Sequence, residues 1–260
     1  MNVGPTLLAL ETSGKSGSVA LATIRSDGSS AIEQEVLDPD WGSARTLAPA
    51  IARLLDHRQL TPRMLDAISV VQGPGSFTGL RVGAASAKTM AWALGIPLVA
   101  VDALDCVAYQ VTSNRALLDS SHGSTIDNAR LVVVSDAYRG QVFRAEYDWL
   151  ESGVVNKEPT AIEDIEALTE RCFRTQDRKI ILAGPGLGRV LKWLGESRPT
   201  SAHPFVQVCQ GQESSPMAGT VAELGWRRWE RGEIEEIFGF LPKYYRGSAA
   251  EEKKNASDFP

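Results

Sequence analysis

The segment that most limits the possible folds is a helix without a broad polar face, enclosed between two apolar strands. Residues 70–101 read VVQGPGSFTGLRVGAASAKTMAWALGIPLVAV, which predicts a strand, a glycine turn, a long helix and a second strand. Within the predicted helix only Arg81 and Lys88 are charged. A helix that is apolar or small on most sides must be covered twice. One cover should be its own sheet, because a crossover helix packs there.

The smallest side chains of this helix recur every four residues. Gly79, Gly83, Ala87 and Ala91 form a shallow ridge that would let another helix approach closely. Glycine inside a helix costs about 0.5–1 kcal/mol relative to alanine, so two glycines on one face need a packing reason. The ridge therefore predicts a helix–helix contact, either within the same lobe of the chain or between subunits.

The segments before this helix complete one unit. Three β-rich runs come first, and a helical pattern from Ala44 follows them; its apolar residues include Leu47 and Ile51. The strand, helix and strand described above then complete the order βββαβα. This is the order of one half of an actin-like ATPase fold. The three runs are TLLALE, SVALATI and AIEQEVL.

Beyond residue 110 the pattern changes. Residues 113–129 are polar and typical of a connection between lobes, whereas residues 131–149 predict two strands joined by a tight turn, as in a degenerate second copy. We expect an α/β chain with an N-terminal lobe over 1–110 and a C-terminal lobe over 111–247. The tail over 248–260 has few large apolar residues and is expected to be disordered.

A helix is also predicted after residue 160, in the stretch TAIEDIEALTERC. Thr160 would be its N-cap, because Glu163 follows three residues later and completes the pattern of a capping box.

Two glycine turns are candidates for binding phosphate. Glu11 ends the first predicted strand, and the N–H groups and hydroxyls of Thr12, Ser13 and Gly14 could hold a phosphate. The alternative is an ordinary β-turn. The second turn precedes the long helix, where free N–H groups favour an anion, although no Lys-Ser/Thr pair follows as in a Walker loop. Its residues are Gly73, Pro74, Gly75 and Ser76.

Composition narrows the functional classes. A net charge of -5 disfavours unaided binding to nucleic acid. The three cysteines form no CxxC pair, the three histidines form no HExxH or HxxxH motif, and no GxSxG occurs, so neither a clustered metal site nor a serine hydrolase is predicted. We recognise no signal peptide or membrane span and expect a cytoplasmic protein.

Four stretches together resemble a known family: LLALETSGKSGSVALA, VVQGPGSFTGLRVGAASAKTMAWALGIPLVAVDAL, SDAYRGQVFRAEY and LPKYYR. They are similar to the TsaB (YeaZ) family, the dimerisation subunits of the bacterial machinery that makes threonylcarbamoyladenosine in tRNA. The resemblance is strong over residues 6–110 and looser beyond. It implies an actin-like (ASKHA) fold of two lobes, the second degenerate.

The resemblance also implies a non-catalytic scaffold that pairs with a TsaD-like paralogue through helices of the first lobe. Met90, Leu47, Ile51 and the ridge would then form the partner interface. TsaD would transfer the threonylcarbamoyl group to adenosine 37 of tRNA, a TsaE-like ATPase would join the larger complex, and this chain would meet tRNA only through that complex. A third hypothesis is that the free chain forms a homodimer through the same ridge. We expect no cofactor or membrane to be required.

One departure from the relatives concerns the helix that begins SARTLAPAI. TsaD-like proteins carry an HxxxH metal motif on the corresponding helix, and many TsaB relatives have a histidine near the position of Arg45. We assign Arg45 no role. The alternative function is an actin-like ATPase or kinase that binds ATP or ADP between the lobes, with the turn after Glu11 on the phosphate.

Overall fold

The chain folds into two five-stranded sheets, each covered by helices, which confirms the predicted α/β class. The computed structural model describes residues 4–25, 29–113, 129–151, 153–175, 177–197, 205–209 and 215–246. Within these residues, no helix is long and apolar enough to cross a membrane. Most of the predicted lobe connection (114–128) and the predicted tail (248–260) lie outside the described residues.

The first sheet follows the predicted order of elements. In chain order these are β1 (Thr6–Glu11), β2 (Ser18–Ile24), β3 (Ser30–Val36), α1 (Ser43–His57), β4 (Ala67–Gly73), α2 (Phe77–Leu94) and β5 (Leu98–Asp102), with a turn of 3-10 helix at Pro62–Met64. The strands lie in the order β3-β2-β1-β4-β5, with β1, β2 and β3 antiparallel and β4 and β5 parallel to β1. Every residue of β1 is buried, because helices cover both faces of the sheet centre.

The second sheet begins with the predicted hairpin. Its region contains α3 (Ala103–Ser113), β6 (Ala129–Asp136), β7 (Gln141–Leu150), β8 (Gly153–Asp164), α4 (Ile165–Arg174), β9 (Ile180–Ala183), α5 (Leu187–Ser197) and β10 (Val206–Val208). The strand order is β10-β9-β6-β7-β8, with β6, β7 and β8 antiparallel and β9 parallel to both β6 and β10. It thus repeats the first sheet's arrangement of three antiparallel strands beside two parallel ones.

The predicted N-cap at Thr160 is wrong. Thr160 lies inside β8, and α4 begins after Asp164, four residues further along the chain. The hydroxyl of Thr160 donates instead to the carboxylate of Asp102 in the first lobe, at 3.1 Å from each oxygen. Thr160 therefore forms a contact between the lobes and not the helix cap that the local pattern predicted.

The last helix, α6 (Ala218–Glu230), returns to the first lobe, so the predicted C-terminal lobe over 111–247 is too long. Ala218, Val221 and Ala222 pack with buried residues of β1, β2, β4 and β5. The backbone N–H of Ala218 donates to the hydroxyl of Ser18 at 2.9 Å. The first lobe is therefore built from both ends of the sequence.

Residues 231–246 follow α6 as a segment without helix or strand, here called the C-terminal strap. The N–H of Lys243 donates to a backbone carbonyl of β4 at 2.8 Å, and the hydroxyl of Tyr245 donates to Asp102 at 3.0 Å. The guanidinium of Arg246 then donates to a backbone carbonyl in the β6–β7 turn. The strap therefore ties the two lobes together.

Candidate docking surface and lobe junction

The small-residue ridge of α2 packs inside its own lobe. A Cβ atom added to Gly79 or Gly83 would come within 3.0 Å of Thr12, closer than real Cβ atoms approach. Ala87 and Ala91 are fully buried in the core of the first lobe. The prediction that the ridge forms a partner contact is therefore wrong. The glycines bring α2 against the end of β1, and the ridge is the face that covers the sheet.

The predicted interface residues of α1 are also buried and cannot contact a partner. Leu47 and Ile51 are 2% and 7% exposed and belong to the same core. Met90 is half-buried and packs against that core from its edge. Of the predicted interface residues, only Met90 thus retains some contact with solvent.

The opposite side of α2 carries a second row of small residues, and this row is accessible to solvent. We call it the outer α2 face. Every member is exposed or half-buried, and none is charged. The row keeps helical spacing along the whole helix, so it forms one continuous strip. Its residues are Thr78, Val82, Ala85, Ser86, Thr89 and Ala93.

The two charges of α2 are turned away from this face by the C-terminal strap. The ammonium of Lys88 donates to the carbonyls of Phe238 and Phe240, at 3.0 and 2.9 Å. The guanidinium of Arg81 donates to the hydroxyl of Tyr244 at 3.2 Å. The strap therefore holds both charges of α2 away from the outer α2 face.

A row of exposed alanines on α1 extends this surface. Ala44, Ala48 and Ala52 lie four residues apart. They fall on the flank opposite Arg53 and His57, whose side chains pair with glutamates of β3. Since α1 and α2 are in contact, the alanines lie on the side of α1 that faces α2. Together the two helices offer a broad surface on which another pair of helices could pack closely.

The turn after β1 is already filled by the carboxylate of Glu11. Its Oε1 accepts hydrogen bonds from the N–H and hydroxyl of Ser13, at 2.6 and 2.5 Å, and from the N–H of Gly14 at 3.2 Å. Glu11, Thr12 and Ser13 are buried. Ser13 and Gly14, two of the three residues whose donors the sequence assigned to a phosphate, therefore bind the chain's own carboxylate.

The second predicted phosphate turn, Gly73 to Ser76, seats α2 on the first turn. The N–H of Ser76 donates to the carbonyl of Ser13 at 2.8 Å, and the hydroxyl of Ser76 caps α2 by accepting from the N–H of Gly79 at 3.3 Å. A Cβ atom at Gly75 would overlap Ser13. The two turns therefore cover each other, and glycine is required for their close approach.

The buried carboxyl groups include Glu11, at the end of β1, and Asp102, at the junction of the lobes. Burial raises the pKa of Glu11 to about 7, although the hydrogen bonds from Ser13 and Gly14 lower it in part. Burial, assisted by the charge of Asp105, raises the pKa of Asp102 to about 6. Asp102 accepts hydrogen bonds from Thr160 and Tyr245 and thereby links both lobes and the strap.

These carboxyl groups predict that the chain loses stability as the pH rises. Their pKa values are higher in the folded than in the unfolded chain, so the folded chain binds more protons between pH 4 and 7. The stabilisation is complete below the unfolded pKa and is lost as the pH passes the folded pKa. We expect the free energy of unfolding, measured in urea, to fall by about 2–4 kcal/mol from pH 5 to pH 8. Glu11→Gln should remove much of this dependence, and a flat or rising profile in the wild type would contradict the assignment.

A family comparison matches residues 42–177, more than half of the chain, to the family described as "TsaD: tRNA N6-adenosine threonylcarbamoyltransferase". The chain belongs to the TsaD family. The relatives below confirm the resemblance to TsaB (YeaZ) that the sequence motifs indicated.

One relative matches nearly the whole chain. It is the tRNA threonylcarbamoyladenosine biosynthesis protein TsaB of Bacillus subtilis, 27% identical over 95% of this chain and 97% of its own length. The TsaB of Escherichia coli is 30% identical over 64% of this chain and 65% of its own. The solved structure of YeaZ from Pseudomonas aeruginosa is 26% identical, covers 92% of this chain and 99% of its own, and gives a TM-score of 0.66. The actin-like two-lobe fold is thus confirmed.

The sequence analysis of this TsaD-family chain missed the outer α2 face. The row from Thr78 to Ala93 has the same helical spacing as the ridge, so the pattern showed two small-residue faces and did not say which one met the sheet. The glycines were the available signal, because only they allow α2 to touch the backbone of Thr12. No local sequence pattern indicated that the C-terminal strap would bind Arg81 and Lys88 or tie the two lobes together.

Proposed function

We propose that the chain is a non-catalytic subunit that binds a TsaD-like paralogue and supports formation of threonylcarbamoyladenosine in tRNA. The observation that carries this is the nearly full-length match to a TsaB protein of that biosynthesis. The partner would pack on the outer α2 face and the α1 alanine row. A TsaE-like ATPase would join the assembly, and the cytoplasm would be its compartment.

The shape and charge of this surface support docking of helices. Small side chains allow close approach of helix axes, and no charge on the outer α2 face has to be desolvated. A specific interface buries about 1,200–2,000 Å² in total. The outward sides of α1, with 15 residues, and α2, with 18 residues, would supply this chain's part of that interface. In the absence of the paralogue, a second copy of the chain would use the same surface.

Nucleotide binding between the lobes remains a prediction that we do not favour. The N–H groups of Ser13 and Gly14 are bonded to Glu11, and the turn from Gly73 to Ser76 covers them. A phosphate would have to displace a buried carboxyl group before it could bind at this turn.

An isosteric substitution at Glu11 tests whether the chain acts as a scaffold or as an enzyme. Glutamine keeps an oxygen that accepts from Ser13 and Gly14, but it can neither transfer a proton as an acid or base nor bind a magnesium ion as a carboxylate does. In a host strain depleted of the native chain, we expect Glu11→Gln to restore the threonylcarbamoyladenosine content of total tRNA to near the wild-type level, measured by mass spectrometry.

The matched control is Glu11→Ala, which leaves three donors without an acceptor and should lower the amount of folded protein. If Glu11→Gln folds and pairs normally but restores no modification, the chain takes part in the chemistry and the scaffold proposal fails. If depletion leaves the modification unchanged, the chain has no role in this biosynthesis.

A further inference from the structure

A chain with a net charge of -5 nevertheless carries a line of cations across the mouth of its lobe junction. We call this line the basic strip. Lys15, Arg81, Arg139, Arg189 and Lys243 are exposed, and Arg246 is half-buried. The strip includes residues from both lobes and from the C-terminal strap.

Contacts between neighbouring segments join these residues into one surface. Lys15 follows the Ser13 turn, which the turn from Gly73 to Ser76 covers, and a Cβ atom at Gly73 would touch the backbone of Lys243. Tyr244, next along the strap, holds Arg81. Arg246 then reaches the β6–β7 turn, which contains Arg139.

Aromatic rings lie between the cations. The guanidinium of Arg81 lies 3.9 Å from the ring centre of Phe77, and Tyr244 packs on the same ring at 5.0 Å. Tyr138 is 66% exposed, and the guanidinium of Arg189 lies 5.7 Å from its ring centre. Phe77 and Tyr244 therefore lie beside Arg81, and Tyr138 lies beside Arg189.

The backbone of the β6–β7 turn is strained at two successive residues. Tyr138 and Arg139 have φ angles of 62° and 52°, in the left-handed region that favours glycine and asparagine. Two successive bulky residues in this conformation are strained, and strain of this kind concentrates at functional positions. Acidic neighbours of the strip include Asp136, which pairs with Arg189, Asp164, which accepts from Gln141, and Asp102, which accepts from Tyr245.

We propose that the basic strip binds RNA directly, with cations on the phosphates and the exposed rings of Tyr138, Phe77 and Tyr244 stacked on unpaired bases. Exposed aromatic rings beside cations suit single-stranded or looped RNA better than an acidic protein surface, which offers nothing to stack. The RNA would be tRNA, and this identity rests on the proposed function. The proposal departs from the expectation that this chain meets tRNA only through its complex.

The test compares two triple variants of the full chain with equal changes in net charge. Lys15→Glu, Arg139→Glu and Lys243→Glu alter the strip without touching α2. Arg25→Glu, Arg63→Glu and Arg231→Glu alter exposed cations at the other end of the first sheet, where β1 and β4 begin. Binding of a labelled tRNA transcript is measured by fluorescence anisotropy from 50 to 200 mM salt, with pairing to the TsaD-like protein as a separate readout.

We expect the strip variant to weaken tRNA binding at least tenfold and to lower the salt slope by about 2–3, since each lost phosphate contact removes about 1. Tyr138→Asn, which tolerates the left-handed backbone, should weaken binding about tenfold. The control triple should change binding less than threefold, and all variants should keep pairing with the TsaD-like protein.

Three results would overturn the proposal. The first is that the wild type does not bind tRNA at 50 mM salt. The second is that both triple variants weaken tRNA binding equally. The third is that the strip variant binds tRNA normally but no longer pairs with the TsaD-like protein, which would make the strip a protein interface. Because RNA binding is measured on the chain alone, its outcome is independent of whether the heterodimer forms.

Discussion

Replacing Gly79 or Gly83 with alanine is expected to destabilise the fold by about 1–3 kcal/mol each, although alanine is the better helix former. The added Cβ atom at Gly79 would overlap the backbone carbonyl of Thr12, which cannot move without disturbing β1. At Gly83 it would overlap the buried hydroxyl of the same threonine. Urea titration at fixed pH gives the change in the free energy of unfolding from the shift in midpoint.

A glycine in another helix of the same chain provides the control. Gly195 in α5 is exposed, and a Cβ atom added to it would have no other atom within 4 Å, so Gly195→Ala should stabilise the chain by about 0.5–1 kcal/mol. If alanine at Gly79 or Gly83 also stabilises the chain, the ridge does not face the sheet and the burial of α2 described above is wrong.

Placing an arginine on the outer α2 face is expected to abolish pairing with the TsaD-like protein while leaving the fold intact. Ala85 and Ala93 are both exposed, so a long side chain at either position can extend into solvent in the free chain. In a close helix–helix interface the same side chain would separate the helices and bury an unpaired charge. The cost of about 3–5 kcal/mol corresponds to a loss of affinity of more than a hundredfold.

Ala167→Arg on α4 of the second lobe is the matched control, because Ala167 is an exposed helical alanine far from α2. Light scattering of mixtures with the TsaD-like protein should show a heterodimer for the wild type and for Ala167→Arg only. Thermal unfolding of all the chains should be the same within about 2 °C. Wild-type pairing by both Ala85→Arg and Ala93→Arg would place the partner elsewhere.

Local pattern was enough to predict most of the first lobe. β1 and β4 are short apolar runs bounded by turns, and α2 lies between two strands, so each element could be recognised from its own residues. The βββαβα order then limited the fold to very few candidates. The second lobe was harder to predict because its long strand β8 carries a sequence that also fits a helix cap at Thr160.

The candidate site was predicted only in part, for a physical reason. Helical periodicity shows which residues share a face, but not what covers that face. On α2 both faces have small residues, and the choice depended on the carbonyl of Thr12, which lies 67 residues before Gly79. Tyr244 and Tyr245 likewise act on Arg81 and Asp102 from the far end of the sequence. Contacts of this kind leave no periodic pattern.

The return of α6 to the first lobe has a consequence for biosynthesis on the ribosome. The face that α6 covers includes Ala9, Ala20 and Val71, all of which leave the ribosome long before α6 does. Domains usually fold in the order in which they are translated. Here that face stays uncovered until α6 has been synthesised, so we expect the nascent chain to carry an open apolar surface up to that point.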